Sequence, residues 1–228
     1  MKKEVKATMT NKAHEKIPGN PSVSTSSDQK LNDRSNRKSL RVLSEEDWKF
    51  WMHNGYIVIK NAIPKEQAKA TANFIWEFDE KDPNDTSTWY AKPRAEMKMK
   101  ELAGTGMVEA YNHQALWNNR QTQKVYDAFV DVWGTEKLWV TIDRVNLNFP
   151  QRPGEEKEGF IHWDYDPETR PQNVQGVIAL ADQMDESMGG FQCIPWLYRN
   201  YDTRKLTQPE DRHRFQPNLD SLQDKLVK

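Results

Sequence analysis

Two side chains able to grip one metal ion lie in the run Gly159-Phe160-Ile161-His162-Trp163-Asp164-Tyr165-Asp166. On an extended chain, residues two apart leave the same face. His162 and Asp164 would therefore offer an imidazole nitrogen and a carboxylate oxygen side by side. A mononuclear iron site that activates oxygen is often built from two histidines and one carboxylate, with positions left open for cosubstrate and oxygen. Neutral imidazole suits Fe(II), and the carboxylate lowers the net charge of the site and can be oriented by a hydrogen bond behind it. With five histidines in 228 residues, a His-x-acid triplet arises by chance about as often as not. A structural reading therefore stands beside the metal one: Asp164 caps the turn at Asp166-Pro167, and His162 is a satisfied histidine at a strand end. A zinc site would need ligands that this segment does not supply.

The elements that must position the pair are read from pattern. Ser44 can cap a helix whose first turn is acidic, and Asn54-Gly55 can close it. Tyr56 to Ile59 reads as a short buried strand, and Pro64 opens a second helix running to about Glu80. Gln114 to Trp133 has helical spacing, with Gly134 at its end. Leu138 to Phe149 reads as a long strand whose later even positions, Arg144, Asn146 and Asn148, turn polar. Those three could orient a cosubstrate or substrate in a pocket, or could form a solvated rim. Val174 to Ala181 is the near-continuous apolar run of a strand covered on both faces, and Phe191 to Ile194 is a further short strand stopped by Pro195. Helices thus come first and strands second, with no internal repeat.

Composition narrows the classes of partner. Lysine plus arginine (33) nearly balance aspartate plus glutamate (34), so whole-chain charge argues for neither nucleic acid nor an anionic membrane. A small-molecule partner is expected, and oligomeric state is left open. Cys193 is the sole cysteine, which excludes an internal disulfide, and no apolar run serves as a secretory signal or reaches the length of a membrane span. Those features predict a cytoplasmic location. Residues 1–40 are polar, carry no aromatic side chain and read as a disordered tail, and 41–228 reads as one domain. All nine tryptophans fall in that domain.

From Leu43 to Arg199 the chain resembles the phytanoyl-CoA dioxygenase family of Fe(II)- and 2-oxoglutarate-dependent oxygenases. SEEDWKFWMHNGYIVIKNAIPKEQ is similar to that family's opening helix, strand and proline-initiated helix. ALWNNRQTQKVYDAFVDVWGTEKL is similar to the helix and glycine before its first long core strand. GFIHWD falls where the family has its His-x-Asp pair, and VQGVIALADQMDESMGGFQCIP resembles the strand, turn and strand that follow. The resemblance implies a mainly β fold: a double-stranded β-helix (jelly roll, cupin-like), with flanking N-terminal helices. It implies Fe(II) held by His162 and Asp164, with 2-oxoglutarate converted to succinate and CO2 as a small organic substrate is hydroxylated. Related halogenating enzymes lack the carboxylate, so Asp164 points to hydroxylation.

Two features depart from that pattern. Pro195 is followed by Trp196-Leu197-Tyr198-Arg199 rather than the family's Gly-Ser-His. The family's second metal histidine and its 2-oxoglutarate-binding arginine lie on later strands, and nothing after Ile194 reads as those strands. The barrel is therefore expected to be incomplete, as in a C-terminally truncated member. Leu219, Leu222 and Leu226 fit a short helix better than a sheet. His213, between Arg212 and Arg214, is the one later histidine; it is either a third ligand or an exposed residue. A rival reading is a non-catalytic binding protein that keeps part of the fold without turnover.

Overall fold

The computed structural model describes residues 31–91, 106–142, 144–154, 161–163, 173–185, 188–200, 217, 219 and 222–228. Among these, six α-helices and one two-stranded sheet are formed. Helix α1 spans Glu45–Asn54, where Ser44 Oγ accepts from the Asp47 N–H and the Asp47 carboxylate accepts from the Ser44 N–H, a reciprocal capping box. Gly55 closes the helix in the left-handed region at φ 74°, with its N–H on the Trp51 carbonyl. Helix α2 spans Lys65–Phe78 behind Pro64, and the four-residue α3 spans Thr86–Trp89 behind the Asp85 cap.

The helical pattern of 114–133 is divided. Helix α4 (Gln114–Arg120) and helix α5 (Gln123–Trp133) meet at Gln121-Thr122, where Thr122 leaves helical geometry at ψ 129°. The Thr122 hydroxyl donates back to the Asn118 carbonyl and accepts from the Gln67 amide of α2, so the break is fixed from two sides. Helix α6 (Pro195–Arg199) follows much later, and a single 3-10 turn, Gln223–Lys225, lies near the C-terminus.

Three apolar clusters hold these elements. Ile75 of α2, Leu116 of α4, Val108 and Ala110 form the first, with Val145 and Leu147 against it. Beside it Thr71 and Asn119 are buried; the Asn119 amide donates to Thr71 Oγ, which also lies within hydrogen-bond reach of the Gln67 and Ala115 carbonyls. Leu43, Trp51 and Val132 make the second cluster. Ile194 and Leu197 of α6 and Leu222 make the third, packed on Ile161 and Trp163.

Residues 31–43, most of which composition groups with the tail, are docked as a strap along α5. The Asn32 N–H donates to the Val132 carbonyl at 2.8 Å, and Asn32 Oδ1 accepts from the Trp51 indole at 2.6 Å. Asp131, only 5 % exposed, accepts the backbone N–H groups of Arg41, Val42 and Leu43 at 2.8, 2.9 and 2.9 Å. Arg41 adds ion pairs to Asp127 and Glu136. The Arg41 guanidinium, with the Gln123 amide, holds the Asp127 carboxyl below the usual carboxylate range.

A mainly β jelly roll is not what these residues form. The described sheet pairs only β1 (Met107–Val108) with β2 (Val145–Asn146), antiparallel, with Met107 opposite Asn146. Strand β1 stops because the Ala110 N–H turns back onto the Val108 carbonyl. Of the long strand expected over 138–149, only those two residues are laddered. Tyr56 to Ile59 and the described run 173–181 contain no ladder; Val58 is 71 % and Val177 84 % exposed. From Phe191 to Ile194 only Cys193 is bridged, to Val227. Apolar runs rich in β-branched residues become strands only where a neighbouring chain satisfies their backbone groups. Helices close their hydrogen bonds within one segment, and here the helices are what formed. The flanking N-terminal helices of the expectation are present as α1 and α2.

Replacing Asp131 by alanine strands three inward-facing N–H donors. Urea unfolding of Asp131→Ala should show a loss of about 3 kcal/mol or more, while Asp131→Asn, which keeps one acceptor oxygen and the volume, should lose less. Equal stability of the three proteins would remove the strap from the account of the fold.

Candidate functional site

His162 is half-buried, between two half-buried neighbours that pack inward on the third cluster. Ile161 and Trp163 lie against Ile194, Leu197 and Leu222, so the indole serves packing, as its place between the two proposed ligands predicts. The segment is supported from the far side by a short chain of contacts. Cys193, next to Ile194, exchanges both backbone hydrogen bonds with Val227, at 3.0 and 2.9 Å. Leu222 and Leu226 thereby cover the cluster. Helix α6 is then tied to α1: the Arg199 guanidinium donates to Asn54 Oδ1 at 2.8 Å, and the Tyr198 ring covers Gly55 closely enough that a Cβ there would collide with it.

Asp164 and His213 lie outside the described residues. Among the described residues no group of three His, Cys, Asp or Glu side chains could hold a metal ion. An imidazole nitrogen with a neighbouring carboxylate is a donor set that suits Fe(II), and His162 stands on a braced segment. His53 is exposed in the last turn of α1, and Asp182 and Asp185 are exposed.

The three polar residues proposed for cosubstrate are placed by β2. Val145 and Leu147 turn into the first cluster, and Phe149 packs with Trp76, Trp89 and Tyr90. Strand alternation then sends Asn146 and Asn148 outward, and both are exposed. Arg144 is half-buried, with its guanidinium 3.5 Å from Met107 Sδ. Asn148 Oδ1 lies over Gly106, whose carbonyl accepts the Leu147 N–H at 2.7 Å. Gly106 sits at φ 78°, where side chains are strained, and a Cβ there would meet the Asn148 amide.

Two polar residues with structural work to do were missed by the reading of motifs. His113 caps α4, its Nδ1 accepting the Ala115 N–H, and its ring stacks on Phe74 at 3.7 Å between centroids. Asp131 is the other. Its signal in sequence is a carboxylate inside the apolar run Ala128-Phe129-Val130-Asp131-Val132-Trp133, since a charge in such a stripe requires partners. Between the strap and the end of α5 lies a small cavity of about 30 Å³, lined in part by Arg34, Lys38, Arg41 and Asp131.

Comparison with known proteins gives one distant likeness. The chain is 28 % identical over 145 residues to "Ava biosynthesis cluster protein O" of Aspergillus versicolor, a match that covers 59 % of this chain. It spans 45 % of that protein's length, about half. No protein-family profile matches the chain. No solved structure matches it.

Gly106→Ala should cost about 1–3 kcal/mol in thermal or urea unfolding, from strained backbone plus displacement of Asn148. In an Asn148→Ala background the steric share should be recovered and the backbone share should persist. A neutral Gly106→Ala would mean that the β1–β2 pair does not depend on this close approach.

Proposed function

We propose that the chain is an Fe(II)- and 2-oxoglutarate-dependent oxygenase that hydroxylates a small organic molecule, with His162 and Asp164 as iron ligands. The observation that carries this reading is the His-x-Asp pair on a segment in which Ile161, before the pair, and Trp163, within it, are anchored in the third cluster. Period-two alternation sends His162 to the side opposite Ile161 and Trp163, and the same spacing rule would give Asp164 to that side by sequence. The resemblance in motif order supports the reaction type. The likeness to a protein named for a biosynthesis cluster supports a small-molecule substrate.

The proposal rests on the pair and not on a closed barrel. When bound, iron with 2-oxoglutarate supplies the oxidising power for attack on a C–H bond. The chain's own part is to hold an imidazole and a carboxylate at fixed spacing, with His213 the named candidate for a third donor. Arg144, half-buried beside Met107, is the basic residue assigned to the cosubstrate carboxylates, and Asn146 and Asn148 are polar neighbours on the same strand edge.

One observation favours a second reading, a binding protein without turnover. Large apolar side chains stand in solvent, with Trp139 86 %, Val177 84 % and Met184 80 % exposed. Such side chains are common where a partner docks.

Anaerobic titration with Fe(II) in the presence of 2-oxoglutarate separates the two. A visible charge-transfer band is expected in the parent, weakened at least about 10-fold in apparent affinity in His162→Ala and Asp164→Ala. Succinate formation coupled to substrate loss should follow the same order. If folded parent protein gives no band, the iron reading falls and the binding reading takes its place.

A further inference from the structure

The contact between α2 and α4 carries a polar pair where an apolar one would fit. Thr71 is 1 % and Asn119 5 % exposed, on the same helix faces as Ile75 and Leu116 of the first cluster. The Asn119 amide nitrogen donates to Thr71 Oγ at 2.8 Å, but Asn119 Oδ1 is buried with no hydrogen-bond partner among the described residues. A threonine hydroxyl has one proton to give, and two carbonyls compete for it, Gln67 at 2.9 Å and Ala115 at 3.2 Å. None is left for Asn119 Oδ1. A buried network satisfied by half lowers stability relative to an apolar pair of the same shape.

The same pair penalises other alignments of the two helices more heavily. Gln67, Thr71 and Ile75 succeed one another along α2 about one turn apart. The helices run in opposite senses: Thr71 meets Asn119, and Gln67, a turn earlier, meets the Thr122 hydroxyl just past the end of α4. Sliding α2 by one turn brings either Ile75 or Gln67 to Asn119. With Ile75 there, both ends of the amide are buried without a partner. With Gln67 there, Thr122 gives up the contact that fixes the break between α4 and α5. The observed alignment keeps both polar contacts at once.

Apolar side chains set no such condition, and cores built from them lose uniqueness before they lose stability. We infer that Thr71 and Asn119 form a register lock, which holds α2 and α4 in one alignment although an apolar pair would be at least as stable. What the lock fixes is the place of β2. Val145, which follows Arg144, and Leu147 rest on the same cluster as Ile75 and Leu116, so a slide of α2 would move the surface that carries them.

Urea unfolding, circular dichroism and binding of anilinonaphthalene sulfonate test it on the full chain, with Trp76 on α2 and Trp117 on α4 as near-UV reporters. Thr71→Val combined with Asn119→Leu should unfold at a urea midpoint equal to or above the parent's and keep the helical far-UV spectrum. It should nevertheless lose near-UV signal and bind the dye, as packing without one fixed alignment does. Thr71→Val alone leaves the whole Asn119 amide unpaired and should shift the midpoint to lower urea. Thr71→Ser keeps the hydroxyl and should preserve the parent's near-UV signal. A double variant with the parent's near-UV spectrum and no dye binding would mean that apolar fit alone sets the alignment. One that unfolds at lower urea than Thr71→Val would mean that the pair serves stability; either result overturns the inference.

Discussion

The fold depends on the Asp131 carboxylate and the three N–H groups it holds. Asp131 lies in the last turn of α5, where the helix dipole already places partial negative charge, and it is buried. An ionised carboxylate there is unfavourable unless donors converge on it. Arg41, Val42 and Leu43 supply those donors from the backbone, so their geometry is set by the carboxylate and not by any helix or sheet. The consequence is that Ser44 stands where α1 can begin. Leu43 and Trp51 can then meet Val132, and the second cluster closes.

From α1 the support runs on to the candidate site. Asn54 and Gly55, the last residue of α1 and its cap, receive Arg199 and Tyr198 of α6. Helix α6 presents Leu197, and Ile194 precedes it, to the cluster that anchors Ile161 and Trp163. His162 is therefore braced by contacts that begin more than a hundred residues earlier in the chain. These contacts restrain the chain on both sides of His162, which is what a ligand at that position would require.

What was legible in the sequence follows the range of the hydrogen bonds involved. The capping box at Ser44 and Asp47, the stop at Gly55 and the start behind Pro64 are local, and the residues that make them are adjacent. The division of 114–133 was not legible as apolar period. It depends on Thr122 meeting Gln67 of another helix. The strands failed for the same reason carried further. Val174 to Ala181 and Leu138 to Ile142 have strand composition, but composition does not contain the neighbour that a ladder requires, and periodicity alone cannot supply one. Trp163 packs on the third cluster as simple alternation about His162 requires, a local rule; Asp131 was passed over because its partners lie about ninety residues away.

This division has a physical consequence for the molecule. Among the described residues up to Gly134, the helices are held by bonds internal to each element and by the Asp131 strap, while β1 and the first cluster also draw on Val145 and Leu147. Beyond Gly134, order among the described residues comes from separate local sources, among them the two-residue ladder with its packing on the first cluster, the Cys193–Val227 bridge, helix α6 and the third cluster. Each restrains its own stretch, and none spans from Leu138 to Ile142. A strand added there would extend the line of β2 backwards along the same chain, lengthening the element that carries Arg144, Asn146 and Asn148. Stability in this half is thus limited by pairing and not by apolar content, since Trp139, Val140 and Ile142 already supply the side chains that a sheet would bury.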